Sequence, residues 1–146
     1  KTIDSVGTSS WTDSSVKTGK TYYYKIKVVV KTQNGNQTSG FSNIKSAKAV
    51  PAKTTLKAKA SNAKNVKLTW SKVKGANGYE IYRSNSKDGK YSKVKTISKG
   101  STTSYKDGKL KKSTTYYYKI RAYRKVDRKK VYGSYSSVVS VKTKAK

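Results

Sequence analysis

Residues 68–84 read LTWSKVKGANGYEIYRS, and this stretch decides how the chain folds. Leu68 and Trp70 flank the polar Thr69, and further along Ile81 follows the charged Glu80. Alternation of apolar and polar residues with a period of two is typical of a β-strand with one buried face. The stretch therefore predicts two consecutive strands, the second and third of the unit that contains them.

The same alternation recurs through residues 54–146 in short segments that turn residues separate. The first strand is predicted over 56–60, and Asp88-Gly89 supplies a positive-φ hairpin turn before the fourth. Helical spacing is nowhere sustained. The later strands are predicted at 91–97, 103–105, 116–122 and 136–142. Seven short strands of this kind predict an all-β, seven-stranded antiparallel sandwich of the immunoglobulin-like class.

Residues 68–84 resemble the second and third strands of fibronectin type III repeats in secreted and surface proteins of Gram-positive bacteria. Residues 102–122 resemble the fifth and sixth. In that family a Leu six residues before a Tyr makes the tyrosine corner, and Leu110 with Tyr116 and Val16 with Tyr22 fit this spacing. The usual Pro-Gly between them is replaced by 112–113 (Lys-Ser) and 18–19 (Thr-Gly). The resemblance implies a tandem fibronectin type III array.

An internal repeat sets the predicted domain boundaries. Residues 1–52 align with 95–146 at a constant offset of 94, without a gap and with 17 identities. The longest identical block is 21–26 with 115–120. The alignment predicts the C-terminal half of one repeat at 1–50, a short linker at 51–53 around Pro51, and a complete repeat at 54–146. We also expect the strands that the half-repeat lacks to be supplied from elsewhere.

The two sheets of the complete repeat should enclose one core. Trp70 is predicted to lie between them rather than to serve as a sugar-stacking platform, because it shares strand parity with Leu68. Its predicted neighbours are Leu68, Tyr79, Ile81, Val94, Leu110, Tyr118, Ile120 and Val141.

Composition excludes most enzyme chemistry. The chain has 146 residues and a formal net charge of +29, with no His, Cys or Met. Imidazole bases, thiol nucleophiles, disulfides and the usual zinc ligands are therefore absent. Only six carboxylates are present, too few and too scattered for a calcium site. We expect no enzyme, no cofactor and no bound metal, and the longest apolar run, 28–30, cannot span a bilayer.

Outward positions on the sheets define the candidate site. Strand parity places lysines 57, 59 and 67 outward on one sheet and a mixed basic and aromatic group outward on the other: Tyr82, Tyr117, Lys119, Arg121 and Tyr123. Aromatic rings can stack on sugars or bases while cations attract phosphates. Cross-strand Tyr pairs that only stabilise the sheet are the alternative. Both interpretations stay open from sequence.

Two functions fit these features. The leading one is a non-catalytic spacer or interaction module of a longer extracellular or cell-wall-associated protein, with neighbouring repeats as its partners. The alternative is adhesion to anionic polymers, namely teichoic acids or negatively charged host glycans, through the basic and aromatic group. Nucleic acid is disfavoured as a partner because 31 of the 35 basic residues are Lys, whereas base recognition favours Arg.

Overall fold

The computed structural model describes residues 10–146, and every regular element in that part of the chain is a β-strand. The strands belong to two compact units, the first ending at Ala49 and the second beginning at Val50. No helix among these residues could cross a membrane. The strands are β1 (Thr21–Tyr24), β2 (Val29–Thr32), β3 (Gly35–Thr38), β4 (Lys45–Lys48), β5 (Leu56–Asn62), β6 (Asn65–Trp70), β7 (Gly78–Ser84), β8 (Ser92–Ile97), β9 (Ser104–Asp107), β10 (Thr115–Val126), β11 (Lys129–Tyr132) and β12 (Val139–Lys142).

The second unit contains two antiparallel sheets. One has the order β5-β6-β9, and the other has the order β11-β10-β7-β8 with β12 also paired to β10. Strands β11 and β12 pair with different halves of β10, so they share one position in the sheet. The eight segments of this unit thus occupy seven strand positions. The prediction of an all-β antiparallel sandwich is confirmed.

The core lies between these two sheets and has the predicted composition. Trp70 is only 6% exposed, and its ring centroid lies 5.4 Å from that of Tyr79. The predicted neighbours of Trp70 are all in the cluster, with Val94 and Val141 packed at its margin. The indole Nε1 is buried without a hydrogen-bond partner. Trp70 therefore serves the core, as its strand parity predicted.

The tyrosine corner is present in both units. The Lys111 N–H donates to the Tyr116 hydroxyl oxygen at 3.0 Å, and the Lys17 N–H donates to that of Tyr22 at 2.9 Å. Where the family has Pro-Gly, Ser113 adopts a left-handed backbone with φ of 51°. A non-glycine residue rarely adopts this conformation, so the corner constrains Ser113.

The edge of the five-stranded sheet differs from the prediction. Strand β10 continues to Val126 and returns as β11 through Asp127 and Arg128, which have φ values of 48° and 62°. Positive φ at both central residues is the geometry of a two-residue type I′ hairpin turn. Because Arg128 is not one of the usual Gly or Asn residues, the sequence pattern did not reveal this hairpin.

Strand pairing in the first unit repeats that of the second at the same offset of 94. Thr21 pairs with Lys48 as Thr115 pairs with Lys142. Hairpin β2–β3 likewise has the register of β10–β11. The exposure of equivalent side chains differs: Ile26 is 72% exposed, whereas Ile120 is fully buried. The described strands of the first unit thus leave an apolar face open.

Candidate functional site

The five predicted site residues lie on the outer side of the five-stranded sheet. Strand β10 carries Tyr117, Lys119, Arg121 and Tyr123, and Lys119 is directly opposite Tyr82 on β7. The register therefore brings the predicted residues together on two neighbouring strands. Four of them are half-buried, but Tyr123 is only 1% exposed.

The burial of Tyr123 corrects the expectation that it faces solvent. It lies directly opposite Gly78, where a Cβ would be 2.6 Å from the Tyr123 hydroxyl oxygen. The absence of that Cβ lets the ring lie across β7, and the Tyr123 hydroxyl donates a hydrogen bond to the Ile97 carbonyl oxygen at 3.3 Å. The Tyr123 and Tyr132 rings pack edge to face, with centroids 6.2 Å apart. Tyr123 thus offers no open ring face to a ligand.

Glu80 lies at the centre of this surface, although it was not among the predicted site residues. It is 1% exposed and directly opposite Arg121, whose Nη2 lies 2.9 Å from Glu80 Oε2. Lys130 Nζ lies 3.0 Å from Oε1 and Lys93 Nζ 3.6 Å. Tyrosine hydroxyls donate to both oxygens, from Tyr82 to Oε2 and from Tyr132 to Oε1. A buried carboxylate with this many donors is fully satisfied.

These contacts determine the protonation of Glu80. Burial would raise its pKa, but hydrogen bonds from Arg121, Lys130 and the tyrosine hydroxyls lower the pKa to about 2. Burial also raises the pKa of Tyr82, in the same direction as its hydrogen bond to Glu80. Glu80 is therefore ionised at neutral pH, and it neutralises part of the charge on this face.

The cations of the face are stacked on tyrosine rings of the same unit. The Arg121 guanidinium carbon lies 3.7 Å from the Tyr132 ring centroid and 4.9 Å from that of Tyr135. Lys119 Nζ lies 4.5 Å from the Tyr135 ring and 4.3 Å from Tyr91. Each such cation–π contact stabilises a surface site by about 0.5–1 kcal/mol. The two cations of the predicted site thus already have partners within the domain.

The same stacking occurs in the first unit, at equivalent positions. Lys25 Nζ lies 3.9 Å from the Phe41 ring centroid and Lys27 Nζ 5.7 Å from it. At the offset of 94 these residues correspond to Lys119, Arg121 and Tyr135. The stacking is thus repeated in both units, with Phe in place of Tyr. It requires the aromatic ring and not the hydroxyl group, which is typical of a structural contact.

Other features of the described residues offer little for chemistry. Residues 10–146 contain no group of three or more carboxylates that could hold a metal ion. A shallow depression of about 370 Å³ is lined by Lys53, Thr54, Thr55, Leu56 and Ser137. No carboxylate lines it, and Lys53 is its only ionisable group. This depression therefore lacks the pair of groups that general acid–base catalysis requires.

Solved structures with this arrangement of strands identify the fold. The chain matches the FN1–FN3 domains of chicken CNTN1 with 23% identity and a TM-score of 0.56, over 90% of this chain and 46% of that one. It matches FN3tt with 23% identity and a TM-score of 0.54, over 67% and 99%. It matches an Fn3-like protein from Clostridium thermocellum with 27% identity and a TM-score of 0.50, over 65% and 92%. The fold is that of fibronectin type III domains.

Fibronectin type III domains generally serve as structural or interaction modules and are common in extracellular proteins. They are generally non-catalytic. Comparison at the level of sequence adds no further assignment, because no family model matches this chain and no curated protein matches it. The present chain spans about half the length of the chicken structure that it matches.

Proposed function

We propose that this chain is a non-catalytic spacer and interaction module of a longer extracellular or cell-wall-associated repeat protein. The observation that carries the proposal is the internal pairing of the basic and aromatic face. Arg121 is held by Glu80 and by three tyrosine rings, and Lys119 stacks on one of these three, Tyr135, and on Tyr91. These contacts join β7, β10, β11 and the segment before β12. The ion pairs and cation–π contacts of this face therefore stabilise the edge of the five-stranded sheet.

The domain assignment is part of the same proposal. Residues 1–50 are the C-terminal half of a repeat, 51–53 a linker and 54–146 a complete repeat. The equivalent strand registers of β1–β4 and β10–β12 support this division, as does the repeated hydrogen bond from Ile26 N–H to Ser42 Oγ and from Ile120 N–H to Ser136 Oγ, 3.1 Å in each case. Neighbouring repeats are then the natural partners of the module.

A second candidate is adhesion to anionic wall or host polymers through Tyr82, Tyr117, Lys119 and Arg121. The charge of the second unit favours it: residues 53–146 carry 27 basic and four acidic residues, a difference of +23. A field of this size attracts polyanions at low salt. The internal pairing of Lys119 and Arg121 counts against this face as the point of attachment.

Two matched double variants separate these candidates. Lys119→Ser with Arg121→Ser removes the stacked cations, and Lys64→Ser with Lys72→Ser removes two exposed lysines beside β6, in the other sheet. The spacer role predicts that the first variant lowers the free energy of unfolding by about 2–4 kcal/mol, because Glu80 loses a buried partner. It also predicts that both variants bind polyglycerol phosphate with equal affinity. A larger loss of affinity in the first variant would favour adhesion through this face.

The half-repeat assignment has its own experiment. Placing a second copy of residues 53–94 directly before residue 1 gives the first unit the strands that precede 95–146 in the second. We expect this addition to protect the Ile26 and Val28 amides from hydrogen exchange and to add a cooperative unfolding transition. The unextended chain is the control. Equal protection in both proteins would contradict the assignment.

A further inference from the structure

Three lysines are directly opposite one another on the outer side of the β5-β6-β9 sheet. Lys59 pairs in register with Lys67, and Lys67 pairs with Lys106. All three side chains are exposed. We call Lys59, Lys67 and Lys106 the lysine row. Sequence parity indicated the first two, and the pairing of β6 with β9 adds Lys106.

The lysine row is unfavourable for the sheet that carries it. Neighbouring strands lie about 4.8 Å apart, and like charges directly opposite one another destabilise a sheet. None of the four acidic residues of the second unit lies on this surface. Glu80 belongs to the other sheet, and Asp107 is turned inward to Arg83. Asp88 and Asp127 lie in the β7–β8 and β10–β11 turns, which join strands of the other sheet.

The neighbours of the lysine row are hydroxyl groups, one side-chain amide and one more lysine. Lys57 pairs with Thr69, and Thr69 pairs with Ser104, in the adjacent outward positions of the same three strands. Beyond them, Thr55 Oγ1 and Ser71 Oγ lie 2.6 Å apart. The outward positions of these strands thus carry ammonium, hydroxyl and amide groups, without an aromatic ring or an arginine.

We propose that the lysine row binds a linear phosphodiester polymer without bases, of the polyglycerol phosphate type. Lysine recognises phosphate as a point charge, whereas bidentate recognition of planar carboxylates favours arginine. Single-stranded nucleic acid is usually held by stacking of its bases on aromatic rings, which this surface lacks. Phosphates aligned across the three strands relieve the repulsion among the lysines. This site is additional to the spacer role, and it uses the opposite sheet from the basic and aromatic face.

The test compares two triple variants with the same change in net charge. Lys59→Ser, Lys67→Ser and Lys106→Ser remove the lysine row, and Lys72→Ser, Lys90→Ser and Lys142→Ser remove three exposed lysines from loops and from the other sheet. Titration with polyglycerol phosphate should show at least a tenfold loss of affinity in the first variant and less than a threefold loss in the second. The slope of log K against log salt should fall by about 2 in the first, since each contacted phosphate contributes about 0.7.

Competing polymers complete the experiment. Polyglutamate and oligo-dT with the same number of charges should bind the unsubstituted protein at least tenfold more weakly than polyglycerol phosphate. Equal binding of polyglutamate would overturn the choice of phosphate, and tighter binding of oligo-dT would overturn the choice of a polymer without bases. Equal losses in the two triple variants would overturn the lysine row as the site. In each of these cases the spacer role would stand, because it rests on the other sheet.

Discussion

Arg83 Nη1 lies 2.9 Å from Asp107 Oδ2, and this ion pair joins the two sheets of the second unit. Arg83 belongs to β7 and Asp107 to β9, so the contact crosses the sandwich at the margin of the core. The Tyr118 hydroxyl donates to the same carboxylate oxygen at 2.8 Å. In the first unit the equivalent Tyr24 hydroxyl donates to Asp13 at 3.0 Å. The Asp at this repeated position therefore has a structural role in both units.

Removing Arg83 should destabilise the second unit more than its half-exposed position suggests. Arg83→Ala leaves the Asp107 carboxylate, which is 5% exposed, without its cation. We expect the free energy of unfolding to fall by about 2–4 kcal/mol, because a buried charge without its partner is costly. Lys95→Ala, at an exposed position of β8, is the control and should change it by less than about 0.5 kcal/mol. Chemical denaturation measures both, and equal effects would contradict the importance of the pair.

Protonation of Glu80 should lower the free energy of unfolding of the second unit at acidic pH. Its pKa in the folded protein is about 2, below the usual value of 4.5, so the charged form is favoured by folding. This contribution is complete above pH 4.5 and is lost as the pH falls toward 2, and it amounts to about 2–3 kcal/mol at most. The Glu80→Gln variant should be less stable than the unsubstituted protein at pH 6. Between pH 4.5 and 2, residue 80 of the variant should contribute almost no pH dependence to the free energy of unfolding. Denaturation at several pH values tests this, with Asp88→Asn as the control.

Reversing the charge at the centre of the lysine row should stabilise the fold. Lys67→Glu replaces two repulsive cross-strand pairs, with Lys59 and Lys106, by two attractive ones. We expect a gain of about 1 kcal/mol in low salt, since each cross-strand pair contributes about 0.2–1 kcal/mol. The gain should shrink in high salt because exposed charges are screened. Lys142→Glu, opposite Thr115, is the control, and a salt-independent gain would exclude the electrostatic explanation.

Equivalent isoleucines in the two units should respond differently to truncation. Ile120 is fully buried, so Ile120→Ala should reduce the stability of the second unit by about 2–4 kcal/mol. Ile26→Ala should reduce the stability of the first unit by less than about 0.5 kcal/mol, because Ile26 is 72% exposed. Thermal unfolding measures the effect in the second unit, and amide hydrogen exchange measures it in the first. A large effect of Ile26→Ala would show that another part of the protein covers this residue.

The sequence predicted the fold and the core because apolar alternation specifies which face of each strand is buried. Trp70 and Leu68 lie inward for that reason, and Lys57 lies outward. The hairpin at Asp127 and Arg128 escaped prediction because its positive-φ residues are not those that usually mark such a turn. Because the hairpin was not predicted, strand β11 and its contacts with the basic and aromatic face were not predicted either.

The candidate site was only partly predictable. Parity placed Arg121 outward, but whether an outward cation meets water or a neighbour depends on the strands beside it. Lys130 and Tyr132 reach Glu80 from β11, on the opposite edge of β10 from β7. Register across strands, unlike alternation along one strand, is decided by pairing in three dimensions. The signal in the sequence for a buried ion pair was that a chain with 35 basic residues has a single Glu.

The length of β10 also has a consequence for the order in which the second unit folds. Strand β10 meets β11 through a two-residue turn, whereas its partner β7 lies about 30 residues earlier in the chain. Closing a short loop costs less chain entropy than closing a long one, and local pairings form faster. We therefore expect the β10–β11 hairpin to form early and β7 to pair with β10 later. The other sheet should then pack against the sheet that contains β7 and β10. Pulsed hydrogen exchange during refolding would then label the β7 amides after those of β11 have become protected.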